Sequence, residues 1–232
     1  MAALKVATNI INVIKGELHP VLIGGKMKIL VMEVGMIGTN CYIAVNEETN
    51  AGVVVDPGGD SDKILNAIKK HGIKIEAIFI THGHSDHIMG LDEVRKATGA
   101  KVYISEADEP MLKDADRNLS MFMGQNQTFA VADEHFADGQ ELIVAGIKFK
   151  ILATPGHTPG GVCILADDVV FCGDTIFAES IGRTDLPGGS YEDIIKSIKD
   201  KILPLADNVQ LLPGHGPATT VGWERRRNPF LQ

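Results

Sequence analysis

From residue 27 onward, apolar residues come in short runs separated by turn formers. Residues 29–32, 41–45 and 52–56 are three such runs in quick succession, too short for helices and rich in β-branched side chains, which predicts three strands joined as a meander. Pro57-Gly58-Gly59 then turns the chain, and Asp60 or Ser61 stands where it can cap a helix whose apolar residues Ile64, Leu65 and Ile68 fall at helical spacing before Gly72. Residues 75–81 form a further strand pattern. A second helix is predicted through Leu91, Val94 and Ala97 up to Gly99, followed by a strand at 101–104. Residues 106–140 scatter Met111-Leu112, Met121-Phe122-Met123 and Phe129 among charged and amide residues, so a short helix and a loop covering one side of the site are expected there, with the methionines filling core by default and an apolar substrate cleft as the alternative. Strands are predicted again at 141–144, 147–153, 162–165, 169–172 and 209–212. A helix capped by Ser190 is predicted from 190 to about 203, with Ile194, Ile195 and Ile198 on its apolar face. The mixture of strands and helices, with no internal repeat or low-complexity linker, makes this an α/β chain. Residues 27–232 form one domain in this reading, and residues 1–26 an N-terminal extension.

Composition narrows the classes of partner. The chain has 232 residues, 44% hydrophobic and 22% charged, enough for a full core. Acidic residues outnumber basic ones 30 to 22, a net charge of -8, so neither a nucleic acid nor an anionic membrane surface is an expected partner. No run of about 18 apolar residues suggests a membrane span, and the first residues make a poor signal peptide because Thr8, Asn9 and Asn12 interrupt any apolar stretch. Cys41, Cys163 and Cys172 form no CxxC pair and lie in apolar surroundings. They are expected to be free core residues, which fits a reducing, cytoplasmic setting.

Chemistry concentrates after the strand at 75–81. Thr81-His82-Gly83-His84-Ser85-Asp86-His87 puts three imidazoles and a carboxylate in one loop, donors that zinc and other first-row divalent metals accept. A strand ending in a tight loop can turn alternate side chains to one point. His157 in Pro155-Gly156-His157-Thr158-Pro159-Gly160, Asp174 in Cys172-Gly173-Asp174-Thr175 and His215 in Pro213-Gly214-His215-Gly216-Pro217 also follow strand patterns, where loops along one sheet edge can converge on a crevice. Together these make seven candidate donors, more than one tetrahedral metal needs, with room for a shared ligand and a water.

These four segments, in this order, are similar to the metal motifs of the metallo-β-lactamase superfamily. VGMIGTNCYI, VVVDPGG, SIGRTDLPGG and the closing ERRRNPFLQ further resemble the short glyoxalase II-like proteins, the hydroxyacylglutathione hydrolases. The resemblance implies a four-layer αββα sandwich. It implies that His82, His84 and His157 hold one metal and Asp86, His87 and His215 a second, with Asp174 bridging; Asp86 and Asp174 are the residues it ties most directly to catalysis. Two divalent ions are implied, zinc first, with iron or manganese as substitutes and the second site open to partial filling. The implied activity is hydrolysis of a small-molecule thioester, such as a hydroxyacyl-glutathione, by a metal-bound hydroxide. Full-length glyoxalase II enzymes also have a C-terminal helical domain that contacts glutathione, whereas this chain ends at Gln232, so the resemblance names the thioester bond and not the thiol. It leaves the oligomeric state open.

A competing reading comes from persulfide dioxygenases, which share the fold but use one iron on two histidines and an aspartate, here His82, His157 and Asp174. PGHGP around His215 and the RRNPFLQ ending look more like the hydrolase branch. A β-lactamase fits less well because of the bridging position of Asp174, and a flavodiiron protein expects Glu where His84 stands. Among neighbouring residues, Asp56 is either an acidic turn former or the acceptor of a ligating histidine's free ring N–H. Arg183 is expected to pair with Asp185, the other role being to meet a substrate carboxylate. His19, His71 and His135 are expected to be ordinary surface or turn residues, and Arg225, Arg226 and Arg227 a solvated helix face.

Overall fold

Residues 21–23 and 27–232 are described in the computed structural model. The predicted extension, residues 1–26, lies outside these except for β1 (Val21–Ile23), whose backbone pairs antiparallel with β2 (Met27–Val34); His19 also lies outside. β2, β3 (Thr39–Asn46) and β4 (Ala51–Val55) are antiparallel neighbours, the predicted meander. Helix α1 (Ser61–His71) crosses over to β5 (Lys74–Phe79), and α2 (Ser85–Ile88) and α3 (Leu91–Thr98) lead to β6 (Lys101–Ser105). The short helix α4 (Glu109–Leu112) falls in the segment expected to hold one, and a strand that the sequence pattern hid, β7 (Glu134–Phe136), closes a seven-stranded sheet. Crossover helices make β4, β5, β6 and β7 successively parallel.

The second half builds a six-stranded sheet from β8 (Glu141–Val144), β9 (Ile147–Ala153), β10 (Val162–Ala166), β11 (Val169–Gly173), β14 (Gln210–Pro213) and β15 (Thr219–Thr220). Between β11 and β14 come a small hairpin, β12 (Ile176–Phe177) and β13 (Ser180–Ile181), and helix α5 (Tyr191–Ser197). α6 (Val221–Arg227) follows β15.

Strand periodicity explains the layering. Along β2, Met27, Ile29 and Val31 point to one face while Leu30, Met32 and Val34 point to the other, and Val53 and Val55 oppose Val54 in the same way on β4. The first set packs on Phe149, Ile151, Ile164, Phe171 and Leu212 of the second sheet, giving a shared central core. The second set packs on Ile64, Ile68, Leu91 and Val94 of α1 and α3, while Val170, Cys163 and Leu152 of the second sheet carry Ile194 of α5 and Val221 of α6. Each sheet is therefore apolar on both faces, and the four-layer αββα sandwich is the architecture observed.

Local signals are mostly obeyed. Gly72 ends α1 in the left-handed region (φ 62°), its N–H reaching the Ile68 and Lys69 carbonyls, and Ser190 Oγ accepts the Asp193 N–H at the start of α5. Asp60, however, makes no side-chain cap; its carboxylate accepts the Gly35 N–H at 3.0 Å, tying the β2–β3 turn to the helix start. The predicted helix to about 203 is α-helical only to Ser197 and continues through 198–202 as a π-helical turn closed by Leu203 N–H to Ile198 O at 2.9 Å. The three cysteines are free and buried. Among the described residues no helix is long and apolar enough to cross a membrane.

Candidate metal centre

The direction of the strands decides where the donors meet. β4, β5 and β6 run parallel, so the segments after them leave from one edge; β9 and β11 share a direction because each is antiparallel to β10, and β14 is parallel to β11. The residues after β5, β9, β11 and β14 carry all seven predicted donors, and the crevice outside parallel strand ends is where α/β sheets place their sites. His82 and His84 come from the loop after β5, as the alternation argument expects. Asp86 and His87 ride instead on the single turn of α2, which turns both back into the same centre.

Donor atoms of His82, His84 and His157 lie within 4.8 Å of one another, as do those of Asp86, His87 and His215, and those of His82, His87 and Asp174. The third group takes one histidine from each of the others plus Asp174. The Asp174 carboxylate accordingly reaches both sides: Oδ1 is 3.3 Å from His87 Nε2, and Oδ2 is 3.6 Å from His157 Nε2 and 3.7 Å from His215 Nε2. Asp86 Oδ2 stands 3.0 Å from His215 Nε2, and His84 Nδ1 3.0 Å from His157 Nε2.

A second ring of contacts holds these rings in place. Asp56 adopts φ 52° at the end of β4; it accepts the Thr81 N–H at 2.8 Å and hydroxyl at 2.6 Å, and its Oδ2 meets His87 Nδ1 at 2.9 Å. The Arg183 carbonyl meets His157 Nδ1 at 2.8 Å, while the Arg183 guanidinium makes a bidentate pair with Asp185 at 2.8 and 2.7 Å, the pairing expected from sequence. Such partners fix a histidine's tautomer and leave its other nitrogen as a lone-pair donor. Gly214 is required by crowding, because a Cβ there would lie 2.2 Å from Asp174 Oδ1 and 2.6 Å from His87 Cε1.

Three supports were not singled out by the sequence, although Asn40 and Tyr42 lie within the VGMIGTNCYI segment. Asp108, fully buried after β6, accepts the Gly83 N–H at 3.1 Å, the Gly160 N–H at 2.7 Å and the Thr158 hydroxyl at 2.7 Å, so it joins the two loops bearing His82, His84 and His157. Its position one turn past a strand end, like the donors, is the only hint the sequence offers. Asn40 Nδ2 donates to the Pro213 and Gly216 carbonyls at 3.1 and 2.9 Å, and Tyr42 OH to Pro213 O at 2.7 Å, seating the His215 loop on β3. Of the remaining predictions, His135 pairs with Glu109 at 2.8 Å on the surface and His71 lies at the end of α1. The Arg225-Arg226-Arg227 run is on α6 as expected, but it is not merely solvated: Arg225 and Arg226 engage Asp207 and Arg227 lies over the Trp223 ring.

The donor types, five imidazoles and two carboxylates, suit a divalent cation. Burial, then repulsion from neighbouring imidazoles, holds His82 well below the ordinary histidine value and His84 at about 3, so both are neutral donors. Burial pushes the Asp86 and Asp174 carboxyls up, but His87 and its neighbouring imidazoles outweigh it and hold both low; burial likewise opposes, and the carboxylates overcome it in raising, His87 and His215. The decisive observation is polar atoms without hydrogen-bond partners. His82 Nε2 and His84 Nε2 are buried and make no hydrogen bond, and His87 Nε2 and Asp174 Oδ1, 3.3 Å apart, make none beyond their ionic contact with each other and their neighbours. Each such orphan costs roughly 1–3 kcal/mol, and divalent cations among these lone pairs relieve that cost for the atoms facing the centre.

The family model for the Metallo-beta-lactamase superfamily matches residues 34–215. The chain belongs to the metallo-beta-lactamase superfamily. Within this superfamily it is 35% identical over 209 residues to the hydroxyacylglutathione hydrolase GloC of Haemophilus influenzae, covering 88% of this chain and 98% of that one. The crystal structure of the BLEG-1 B3 metallo-beta-lactamase matches with a TM-score of 0.85 at 37% identity, over 88% of this chain and 99% of the other. That of ETHE1 from Myxococcus xanthus matches with a TM-score of 0.68 at 28% identity, over 82% and 78%.

The superfamily site opens into a cleft of about 700 Å³. Asp86, Asp174, His84, His157 and His215 line its floor, and Ile37, Phe122, Met123, Phe177 and Leu186 are among its walls. Met123 therefore lines the cleft, not the core, whereas Met111 is buried as expected of a core filler.

Proposed function

We propose that this chain is a binuclear, metal-dependent thioesterase with a glyoxalase II-like metal centre, acting on a small-molecule thioester whose thiol that likeness leaves open. The observation that carries this reading is the completeness of two donor sets around one carboxylate: His82, His84 and His157 on one side, Asp86, His87 and His215 on the other, and Asp174 within 3.7 Å of histidine nitrogens from both. Two divalent ions, zinc in the first instance, would be held by these residues, and when bound they lower the pKa of water and polarise a carbonyl oxygen. GloC, whose name states hydrolysis of a hydroxyacylglutathione, supports the choice of bond.

The protein's own groups have separable roles. Asp56 Oδ2 accepts the His87 Nδ1 proton and the Arg183 carbonyl that of His157 Nδ1, which aims both Nε2 lone pairs at the centre. The Thr39 hydroxyl donates to Asp86 Oδ2 at 3.2 Å and helps orient that carboxylate. Asp86 and Asp174 both line the cleft floor, where a carboxylate can take a proton from attacking water. A thiolate leaves readily. No separate general acid is needed, and the set contains no Ser-His-Asp or Cys-His arrangement to compete.

The persulfide dioxygenase reading needs only His82, His157 and Asp174, which leaves the full Asp86, His87 and His215 set without a task. Metal analysis of the purified protein, combined with assays for thioester hydrolysis and persulfide-dependent oxygen uptake, separates the two. The expected result is about two equivalents of zinc, or of mixed zinc with iron or manganese, and thioester turnover that collapses by roughly 100-fold or more in Asp174→Ala. One equivalent of iron with oxygen uptake and no thioester cleavage would overturn the assignment.

A further inference from the structure

The walls of the cleft differ sharply in character from its floor. Its apolar lining comes from Ile37 on the β2–β3 turn, from Leu119, Phe122 and Met123 in the loop after α4, and from Phe177, Ile181 and Leu186 in and after the β12–β13 hairpin. Several of these are held out in water: Phe122 is 81% exposed and Ile37 58%, and the adjoining Met36 is 78% exposed. A weak contact from Gln125 Nε2 to Met36 Sδ, 3.8 Å, joins the turn bearing Ile37 to the loop bearing Phe122, so these side chains form one continuous lip. Apolar side chains gathered at the mouth of a polar centre, and not scattered singly, mark a surface that something covers.

Charge narrows what that is. Among the described residues that line the cleft the one permanent cation is Arg183, and its guanidinium is committed to Asp185 through two short hydrogen bonds. Glutathione carries two carboxylates, and each needs a cation or a set of N–H donors at the walls. Positive charge supplied at the floor by metals is no substitute, since a carboxylate settling there would occupy the position of the reacting carbonyl. A lining that is otherwise apolar, drawn from three separate segments around the donors, instead suits a molecule that carries no charge.

We infer that the preferred substrate is an uncharged thioester with an aliphatic or aromatic acyl group of several carbons, seated against Phe122 and Ile37, and not a glutathione conjugate recognised through its carboxylates. The inference rests on the thioesterase reading for the reacting bond, while the apolar recognition stands on the walls alone. Burying each further methylene of an acyl chain against such walls improves binding about fourfold.

The experiment uses the metal-loaded full chain with S-acyl-N-acetylcysteamine thioesters from acetyl to octanoyl, and lactoylglutathione as the charged comparison. Ketones in which a methylene replaces the sulfur, inert to hydrolysis, give Kd by calorimetry. The expected result is kcat/KM and affinity both rising about fourfold per methylene over the first several carbons, with at least half of the gain lost in Phe122→Ala. Phe122 is largely exposed, so that variant tests recognition and not folding. Chain-length dependence that is flat in both measurements, or a kcat/KM for lactoylglutathione above that of octanoyl, overturns the inference. Ketone affinity that climbs with chain length while no thioester turns over retains the apolar recognition and overturns the hydrolase reading instead.

Discussion

Asp108 has no place in any metal motif, yet its carboxylate is the point at which the two loops carrying His82, His84 and His157 are joined. It is fully buried and burial pushes its pKa up, while hydrogen bonds from Thr158, Gly83 and Gly160 work against that rise. All three neighbours donate, so the group has to accept at both oxygens, which an amide cannot do. Asp108→Asn should therefore lose roughly 1–3 kcal/mol of stability by denaturant unfolding and, because the ligand loops separate, hold metal about 10–100-fold less tightly in a chelator competition. A loss of stability with unchanged metal affinity would show that Asp108 supports the fold only. Residue-scale reading of the sequence found the donors because imidazoles and carboxylates in tight Gly-rich loops have few other uses. It missed Asp108, Asn40 and Tyr42 because a buried hydrogen-bond partner looks, in sequence, like any polar residue near a strand end.

Helix α5 and the turn after it show how an element can act on a site it does not enter. Ser190 N–H donates to Gly156 O at 2.7 Å and Ser197 Oγ to Pro155 O at 2.8 Å, so the helix grips the loop that carries His157 from both of its ends. Its buried Ile194 and Ile198, with Ile202 beyond, recur every fourth residue. In an α-helix of 3.6 residues per turn such a row drifts by about 40° per step, and the wider π-helical turn at 198–202 takes that drift back, keeping all three on the second sheet. Ser190→Ala removes the N-cap and should cost about 1 kcal/mol, seen as a lower urea midpoint with an unchanged slope. The helix itself was legible from its cap and periodicity. Its change of pitch was not, because only the packed sheet fixes the direction in which the isoleucines must point, and β7 was hidden for a similar reason, being three residues long and stabilised by pairing with β6.

At the scale of the whole molecule, two sheets hold an uncompensated cluster of buried donors between their edges, so folding and metal binding are coupled. Removing metal with a chelator should lower Tm by several degrees, and restoring zinc should recover it, in a thermal melt. The metal-free protein should also respond to acid through His84. Its folded pKa of about 3 lies below the ordinary 6.5, so the unfolded chain takes up a proton that the folded one refuses, and this contribution to stability falls as pH drops from about 6.5 through 3. His87 and His215, which are raised, act in the opposite sense: they add stability below about 6.5 and lose it as pH rises through their folded values. His84→Gln removes this residue's pH-dependent contribution together with the pH-independent contact to His157 Nε2. The Tm of the metal-free variant relative to the metal-free wild type should therefore become more favourable between pH 7 and pH 5, and a difference independent of pH would refute that role for His84.

The sequence by itself determined the chemical identity and order of the donors, the positions of most apolar strands, both ends of α1 and α3, and the start of α5. These are local patterns, readable within a turn of helix or a few residues of strand, and each has a direct physical cause in periodicity, capping or ligand chemistry. The family resemblance implied that Asp86 joins His215 and that Asp174 faces both donor sets, but it is tertiary structure that brings Asp86 to His215 across 129 residues of chain and that makes Phe122 part of a wall and not core. Those outcomes follow from which strands run parallel and so end on the same edge, a property of pairing between distant segments that no local run of residues encodes.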